Sequence, residues 1–425
     1  MKPKIFALLT LASIALAVFG VYGQTIHYDA PADALVITNG TIVDGTGADP
    51  LPDGVVVIQG NQITAVGRTG DLAISPKATV MDAEGGYILP GIINAHIHDG
   101  ASTHVRRRFL EHGVTSILDL GSPRHTIAAF ARENSPQGPA ARGFRAGPII
   151  TVRGGYPDVE YGMHRNYEVT SPEHARLVVA DLADRGVDAI KIALEPGPTS
   201  DDPWPMLSLA EVKAIVDEAH KHELLVHAHV TKPYVLDIAL EAGVDVIEHL
   251  PVPFPSEENL QQFQADKGGF IVQATKYHQR MIDQGMILVP TLSAFIKGAF
   301  QKTDPTPADQ LSVELYLQIL RHYHDLGGII AVANDYSACE VCDDEECPIP
   351  EMEMFLVTGL TPMEVIEAST RNGALALGQG DTLGTLEPGK LADIVVIDGN
   401  PLDDIQALRQ VQFVIKDGQV AYAPE

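Results

Sequence analysis

The fold is best indicated by a stretch that begins at residue 88 and reads Ile88-Leu89-Pro90-Gly91-Ile92-Ile93-Asn94-Ala95-His96-Ile97-His98. A continuous apolar run of this kind is typical of a parallel strand that is buried on both faces, and the histidines come where the run ends. Similar runs recur along the chain. The predicted strands are residues 88–96, 115–119, 149–153, 189–193, 224–229, 246–249, 287–292 and 329–335.

Helical patterns separate these strands. Ser171 precedes Pro172 and a periodic stretch to residue 184, and Gly186 follows, which is the usual order of cap, first turn and stop. Residues 207–222, 311–324 and 361–374 behave similarly. Because repeated strand–helix alternation favours a closed sheet over an open one, the sequence predicts an α/β fold with a (β/α)₈ TIM barrel at residues 89–377.

Both ends of the chain predict short antiparallel strands instead. Residues 34–88 alternate apolar runs with turn signals such as Asn39-Gly40, and residues 378–425 do the same with Asp417-Gly418. Neither piece is long enough to close a sandwich alone. The sequence therefore predicts one small β-sandwich domain that is built from both ends of the chain.

Length and charge narrow the range of functions. The 425 residues suit a barrel plus a smaller domain, and 45% hydrophobic with 20% charged residues is the balance of a globular protein. The formal net charge is −27. Binding to nucleic acid or to anionic lipid needs clustered Lys and Arg, so the acidity argues against both partners.

The N-terminus predicts a signal peptide at residues 1–23 and a linker at residues 24–33. Lys2 and Lys4 precede an apolar run, and Val21 and Gly23 suit a cleavage site before Gln24. A permanent membrane anchor is the alternative, although the run is near the lower limit for spanning a bilayer. We expect a periplasmic or secreted protein without stable membrane insertion after removal of the signal.

The three cysteines are close together, at Cys339, Cys342 and Cys347. In an exported protein two of them can form a disulfide and leave one thiol over. A zinc clip is the second interpretation, although it has no obvious fourth soft ligand. Three free thiols are the third.

Polar side chains stand at the ends of several predicted strands, and strand ends form the catalytic face of such a barrel. The chain has four His-x-His pairs, of which those at 220 and 322 fall in helical patterns, where positions i and i+2 face different ways. On a strand they share a face. The pairs that can hold a metal are therefore His96/His98 and His227/His229.

Lys191 lies inside the apolar run of the fourth strand. A buried ammonium is costly without a partner, so an ion pair at the barrel mouth is one interpretation. The other is a lysine carboxylated by CO₂, whose carbamate can bridge two metals, because burial favours the neutral amine that reacts. Asp335 could be a turn residue and His249 a core histidine, but their shared position at strand ends favours a metal site.

Several motifs resemble those of the amidohydrolase superfamily and occur in the right order over nearly all of the mature chain. They are residues 89–98, Gly113-Val114-Thr115, Asp188-Ala189-Ile190-Lys191-Ile192, residues 243–249, Val289-Pro290-Thr291-Leu292, Thr370-Arg371-Asn372-Gly373-Ala374 and residues 384–393. The chain is most similar to the imidazolonepropionase-related branch, which includes Xaa-Pro dipeptidases and other metal-dependent amide hydrolases.

The resemblance implies a site with two divalent metals, typically zinc. His96 and His98 would hold one metal, and His229 and His249 the other, while carboxylated Lys191 would bridge both. Asp335 would bind the first metal and act as general base, then general acid. Relatives with the run Leu-x-Val-x-Ala-His use its last residue, which selects His229 over His227.

The implied reaction is hydrolysis of an amide C–N bond in a small molecule or dipeptide by a metal-bridging hydroxide. Hydrolysis of a lactone, carbamate or cyclic amide, deamination, and an inactive metal-binding protein are the alternatives. Dipeptidase-like relatives often carry a Tyr and a Gly-Gly-His where this chain has Thr231 and Gly154-Gly155-Tyr156. We also expect a homo-oligomer.

The candidate substrate contacts are Arg153, Tyr156, Tyr161 and His164.

Overall fold

A computed structural model describes residues 28–29, 31–133, 138–162, 166–198, 203–337 and 348–424. The predicted signal peptide, His164 and the three cysteines lie outside these residues, so their predictions stand as they are. Within the described ranges, no helix combines the length and the apolar character that crossing a membrane requires.

The strands are numbered along the chain. They are β1 (Tyr28–Asp29), β2 (Leu35–Ile42), β3 (Leu51–Gln59), β4 (Gln62–Arg68), β5 (Leu72–Ala73), β6 (Thr79–Asp82), β7 (Tyr87–Pro90), β8 (Ile92–His98), β9 (Val114–Asp119), β10 (Arg142–Arg145), β11 (Ile150–Val152), β12 (Tyr167–Val169), β13 (Ala189–Ala193), β14 (Leu225–His229), β15 (Val246–Glu248), β16 (Ile287–Val289), β17 (Ile329–Ile330), β18 (Tyr336–Ser337), β19 (Ile394–Ile397), β20 (Val411–Lys416) and β21 (Gln419–Tyr422).

The helices are numbered in the same way. They are α1 (Thr103–Glu111), α2 (Ile127–Glu133), α3 (Asp158–Tyr161), α4 (Pro172–Asp184), α5 (Leu209–Lys221), α6 (Leu236–Ala242), α7 (Glu257–Ala265), α8 (Lys267–Ala274), α9 (His278–Asp283), α10 (Leu292–Phe300), α11 (Pro307–Asp325), α12 (Ile349–Thr358), α13 (Pro362–Ser369) and α14 (Arg371–Ala376), with 3₁₀ turns at Arg124–Thr126, Pro233–Val235 and Ile405–Arg409.

Parallel strands build the larger domain. From β13 to β17 each strand pairs in parallel with the next, and β8 pairs with β9, which pairs with β10. The third strand has two segments, of which β10 contacts β9 and β11 contacts β13. Between the eighth and first strands, Ala95 N donates to Val332 O at 3.2 Å and Asp335 N to His96 O at 3.1 Å. This connectivity is that of a (β/α)₈ barrel.

The first predicted strand, residues 88–96, is divided between two sheets. Its first residues belong to β7, which pairs antiparallel with β19, and the barrel strand β8 begins only at Ile92. Gly91 separates them: its N–H donates to Asp393 O, and a Cβ there would lie 2.1 Å from the Thr115 hydroxyl oxygen. The close approach explains the glycine and moves the boundary of the smaller domain past residue 88.

Both ends of the chain do share one sheet, with the order β21-β20-β19-β7-β2-β3-β4 and β6 beside β2. The junction is the β7–β19 pair, in which Val395 faces Leu89. One face of the sheet buries a core that draws on both ends, including Ile37, Ile88 and Ile394. The smaller domain thus joins the two termini and carries the first barrel strand directly out of β7.

Candidate active site

The strand ends of the barrel surround a cavity of about 400 Å³. Six side chains that the sequence predicted as metal ligands line it together, from five different strands or the residues that follow them. The lining consists of His96, His98, Lys191, His229, His249 and Asp335, with Asp99, Gly121, Ile149, Tyr156, Pro157, Tyr161 and Asn166.

Asp335 lies against the two histidines of the first strand. Its Oδ1 atom is 3.4 Å from His96 Nε2 and 3.1 Å from His98 Nε2. Burial raises the pKa of the Asp335 carboxyl, but the charges and hydrogen bond of His96 and His98 lower it more, so that it lies well below its usual range. An ionised carboxylate between two imidazoles supplies the hard and borderline donors that a divalent metal prefers.

A buried carboxylate that the sequence did not single out holds His96 from behind. Glu248 Oε2 accepts from His96 Nδ1 at 2.7 Å, and Glu248 Oε1 accepts from His227 Nδ1 at 2.6 Å. Because the Nδ1–H group of neutral His96 donates this hydrogen bond, its Nε2 atom carries no proton, and this atom faces Asp335. His227 thus lies one layer deeper, and His96 is fixed in the form that binds a metal.

Two further oxygen-bearing side chains lie beside the other histidines. Thr291 Oγ1 lies 2.7 Å from His249 Nδ1, and Glu195 Oε2 lies 3.5 Å from His229 Nε2. The contact with Thr291 leaves the Nε2 atom of His249 for a metal, whereas His229 Nε2 makes no hydrogen bond within the described residues and is itself available as a donor atom. Burial lowers the pKa of both His229 and His249, so both rings stay neutral near pH 7.

Lys191 is 1% exposed, and its Nζ atom has no hydrogen-bond partner within the described residues. Burial lowers its pKa to about 8, although the charges of Glu248 and Asp335 oppose the shift. The ion-pair interpretation is not supported by any salt bridge of the described chain. A buried, unpaired amine with a lowered pKa is the form that reacts with CO₂ or meets a metal.

The backbone is strained at three places in this cluster. His249, Thr291 and Asp335 have φ values of 71°, 45° and 54°, in the left-handed region that residues with a Cβ rarely adopt. Such conformations cost on the order of 1 kcal/mol each and persist where surrounding contacts hold them. Two of these residues are candidate ligands, and the third orients one of them.

An aromatic wall closes one side of the cavity. Tyr156 stacks on His229 with ring centroids 4.2 Å apart, and Trp204 lies behind Tyr156 at 6.4 Å. Tyr161 also lines the cavity. Arg153, by contrast, is exposed and is not among the lining residues. The structure thus brings Tyr156 and Tyr161 to the site and leaves Arg153 outside it.

Sequence reasoning missed Glu248, Glu195, Thr291 and Asp119 as supporting residues. Glu248 could have been found as Lys191 was, because it is a charged residue in an otherwise apolar strand, Val246–Glu248. Asp119 ends the second strand and accepts from Gly100 N at 2.7 Å, which holds the loop after His98. Glu195 lies beyond its strand and gave no signal, and Thr291 was included only as part of the motif Val289-Pro290-Thr291-Leu292.

The parallel barrel and the cluster of polar side chains at its strand ends indicate that this protein is a hydrolase of the barrel class. The chain belongs to the amidohydrolase family, whose sequence profile matches residues 87–421. It is therefore a hydrolase that acts on carbon–nitrogen bonds.

Individual relatives agree with this assignment. An ochratoxinase of Aspergillus niger is 24% identical, over 92% of this chain and 88% of its own length. An imidazolonepropionase of Alkaliphilus metalliredigens is 24% identical, over 87% and 90%. A crystal structure of a putative prolidase from Bifidobacterium longum matches with a TM-score of 0.73 and 27% identity, over 92% and 95% of the two chains.

Proposed function

We propose that this protein hydrolyses the amide bond of a small molecule or dipeptide, with two divalent metal ions at the strand ends. His96 and His98 would hold one metal and His229 and His249 the other. Lys191, as a carbamate, would bridge them, and Asp335 would complete the first site. Zinc is the metal we propose, because the set of imidazole and carboxylate donors suits it.

The observation that supports this proposal most directly is the set of buried polar atoms without hydrogen bonds. Within the described residues they include His96 Nε2, Lys191 Nζ and His229 Nε2, all of residues that line the cavity. Buried polar atoms without partners are costly, and they are rare in native proteins unless a ligand or ion satisfies them. Their shared position at one cavity fits a bound metal ion.

The residues around the cavity suit hydrolysis, in which water attacks the carbonyl carbon of an amide. Bound metals would acidify a water molecule and polarise the substrate carbonyl. Asp335 is the carboxylate that can take the proton of the attacking water and pass it to the leaving nitrogen. Tyr156 offers an apolar face to the substrate beside His229. Its pKa is raised by burial, so its hydroxyl stays protonated and can donate a hydrogen bond.

Metal content per chain tests the proposal. Protein purified without added zinc should contain two metals, and Lys191→Ala should contain one or fewer, because the bridging group is gone. Lys232→Ala is the matched control, since Lys232 belongs to the same face of the barrel but pairs with Thr231 and Glu195. Two metals in Lys191→Ala would show that the lysine is structural.

A second candidate uses one metal. Within the described residues, His96, His249 and Asp335 form the one group of potential ligands whose donor atoms all lie within 4.8 Å of one another. A single metal there suits deamination or the opening of a cyclic amide. One metal in both wild type and Lys191→Ala would favour this function.

The substrate class, export and the homo-oligomer remain predictions. A panel with one N-acyl amino acid, one dipeptide, one lactone, one carbamate and one aminopurine separates the reactions. Amide hydrolysis alone supports the proposal, and metal binding without turnover of any compound supports an inactive metal-binding protein.

A further inference from the structure

Helix α10 begins in an unusual way. A threonine at the N-cap normally accepts a backbone N–H of the first turn with its hydroxyl. Thr291 is the N-cap of α10, but its side chain makes no such bond. Its Oγ1 atom contacts His249 Nδ1 at 2.7 Å instead. The hydroxyl that would cap the helix is therefore used to orient a candidate metal ligand.

A distant carboxylate caps the helix in its place. Glu351 of α12 is fully buried; its Oε1 accepts from Leu292 N at 2.8 Å, and its Oε2 accepts from Ser293 N at 2.7 Å and from Ser293 Oγ at 2.8 Å. A negative charge at a helix N-terminus is favourable. Burial raises the pKa of Glu351 to about 7 in spite of these bonds, because an ionised carboxylate is costly to bury.

The same helix contacts the His249 ring a second time. Phe295, one turn into α10, meets the ring edge-on with centroids 5.4 Å apart. The start of α10 thus sets both the hydrogen bond and the aromatic contact of His249. Thr291 also has a φ of 45°, a strained value. The hydrogen bonds of Glu351 to the next two residues help to hold it there.

We propose that Glu351 is a positioning residue for His249: by capping α10 it leaves the Thr291 hydroxyl free to orient the imidazole. The inference rests on the proposed metal site, since orientation matters most for a ligand. Glu351 belongs to α12 and does not line the cavity, but it would support the metal site through α10 and Thr291.

A double-mutant cycle tests the proposal. Glu351→Gln and Thr291→Val should each weaken the metal that His249 holds by about tenfold, as is usual when an outer partner of a ligand is lost. Because Glu351 acts through Thr291, the double variant should be no weaker than Thr291→Val. Thr291→Ser keeps the hydroxyl and should therefore retain the zinc affinity that Thr291→Val loses. Zinc affinities are measured by competition with a chromophoric chelator.

Thr306→Val is the matched control, because Thr306 is also an N-cap threonine, on α11, with its hydroxyl used for the helix. It should lower the melting temperature but leave zinc affinity unchanged. If Glu351→Gln does not fold, Ser293→Ala removes one of the three bonds and should weaken zinc by a smaller factor. Unchanged affinity in a folded Glu351→Gln or Ser293→Ala variant, or additive effects in the cycle, would overturn the proposal.

A readout without metal separates this inference from the proposed function. Spectra of metal-free protein with ¹⁵N-labelled histidine report which ring nitrogen carries the proton, and His249→Gln assigns the signal. We expect His249 to carry its proton on Nδ1 in wild type and to lose this preference in Glu351→Gln and Thr291→Val. Wild-type protein that binds no zinc would refute the proposed function, whereas an unchanged His249 signal in both variants would refute the positioning role.

Discussion

The two sides of the cavity are built differently. The first half consists of His96, His98 and Asp335, with the carboxylate 3.1 and 3.4 Å from the two Nε2 atoms. The second half consists of His229 and His249, whose ring centroids are 4.4 Å apart and which have no carboxylate between them. The first half already contains a negative charge, and the second has only neutral rings.

The supports behind His96 and His249 differ in the same sense. Glu248 holds His96 with a carboxylate whose pKa lies well below its usual range, because the charges of His96 and Lys191 and two histidine hydrogen bonds outweigh the effect of burial. His249 relies on a hydroxyl that a helix must place. In the first half the carboxylate thus already contacts both histidines, whereas in the second half the orientation of His249 depends on the position of α10.

The largest expected effect is on turnover and concerns the first half. Asp335→Asn should lower kcat by about 10³-fold, since an amide cannot take the proton that general base catalysis requires. Steady-state rates and metal content are measured on the same preparation. Asp99→Asn, which changes another carboxyl of the same cavity, should have a much smaller effect. A folded Asp335→Asn enzyme that retains full activity would refute the assigned role.

The next effect is on metal affinity. Glu248→Gln should weaken the metal held by His96 by about 10–100-fold, because an amide cannot accept from both His96 and His227. One ring must change its tautomer, and in His96 this would put a proton on Nε2. Glu364→Gln is the control, since it alters a carboxylate–histidine pair with His324 far from the cavity. Equal zinc affinity in both variants would contradict the comparison.

The pH dependence should also differ between the halves. Burial lowers the pKa of His98, but the hydrogen bond and charge of Asp335 raise it more, so it lies above 6.5, whereas that of His96 falls to about 4. Without metal, the His98–Asp335 ion pair stabilises the fold below pH 6.5, and this contribution is lost as the pH rises through the folded pKa of His98.

A metal ion bound at the proposed first site would therefore displace a proton from His98. Below that pKa, the affinity of the first half should fall by about tenfold per pH unit. Asp335→Asn removes the main causes of the raised pKa and should move this dependence to lower pH. Titrations at several pH values check the slope, and a constant affinity down to pH 6 would show that His98 is not a ligand.

The smallest expected effect concerns the space around His98. A Cβ at Gly121 would lie 2.8 Å from His98 Nδ1, so Gly121→Ala should displace the ring and destabilise the protein by about 1 kcal/mol. Gly298→Ala is the control, because no atom lies within 4 Å of a Cβ at this position of α10. It should be neutral or stabilising by up to about 1 kcal/mol. Thermal unfolding of metal-free protein distinguishes the two.

The sequence by itself predicted the barrel and the candidate ligands at its strand ends. Buried parallel strands leave continuous apolar runs, and a histidine, lysine or aspartate at the end of such a run stands out because it is costly to bury there. His96, Lys191 and Asp335 stand out in the sequence in this way. The shared sheet of the two chain ends also followed from local turn signals.

The tertiary structure alone decided how those ligands are held. His96 and Glu248 are 152 residues apart, His249 and Thr291 are 42 apart, and Leu292 and Glu351 are 59 apart. No local periodicity relates such positions, since strand and helix repeats extend over a few residues only. The division of the first strand at Gly91 likewise depends on a contact with Thr115 in the neighbouring strand. The ligands belong to local patterns, whereas their partners are brought to them by closure of the barrel.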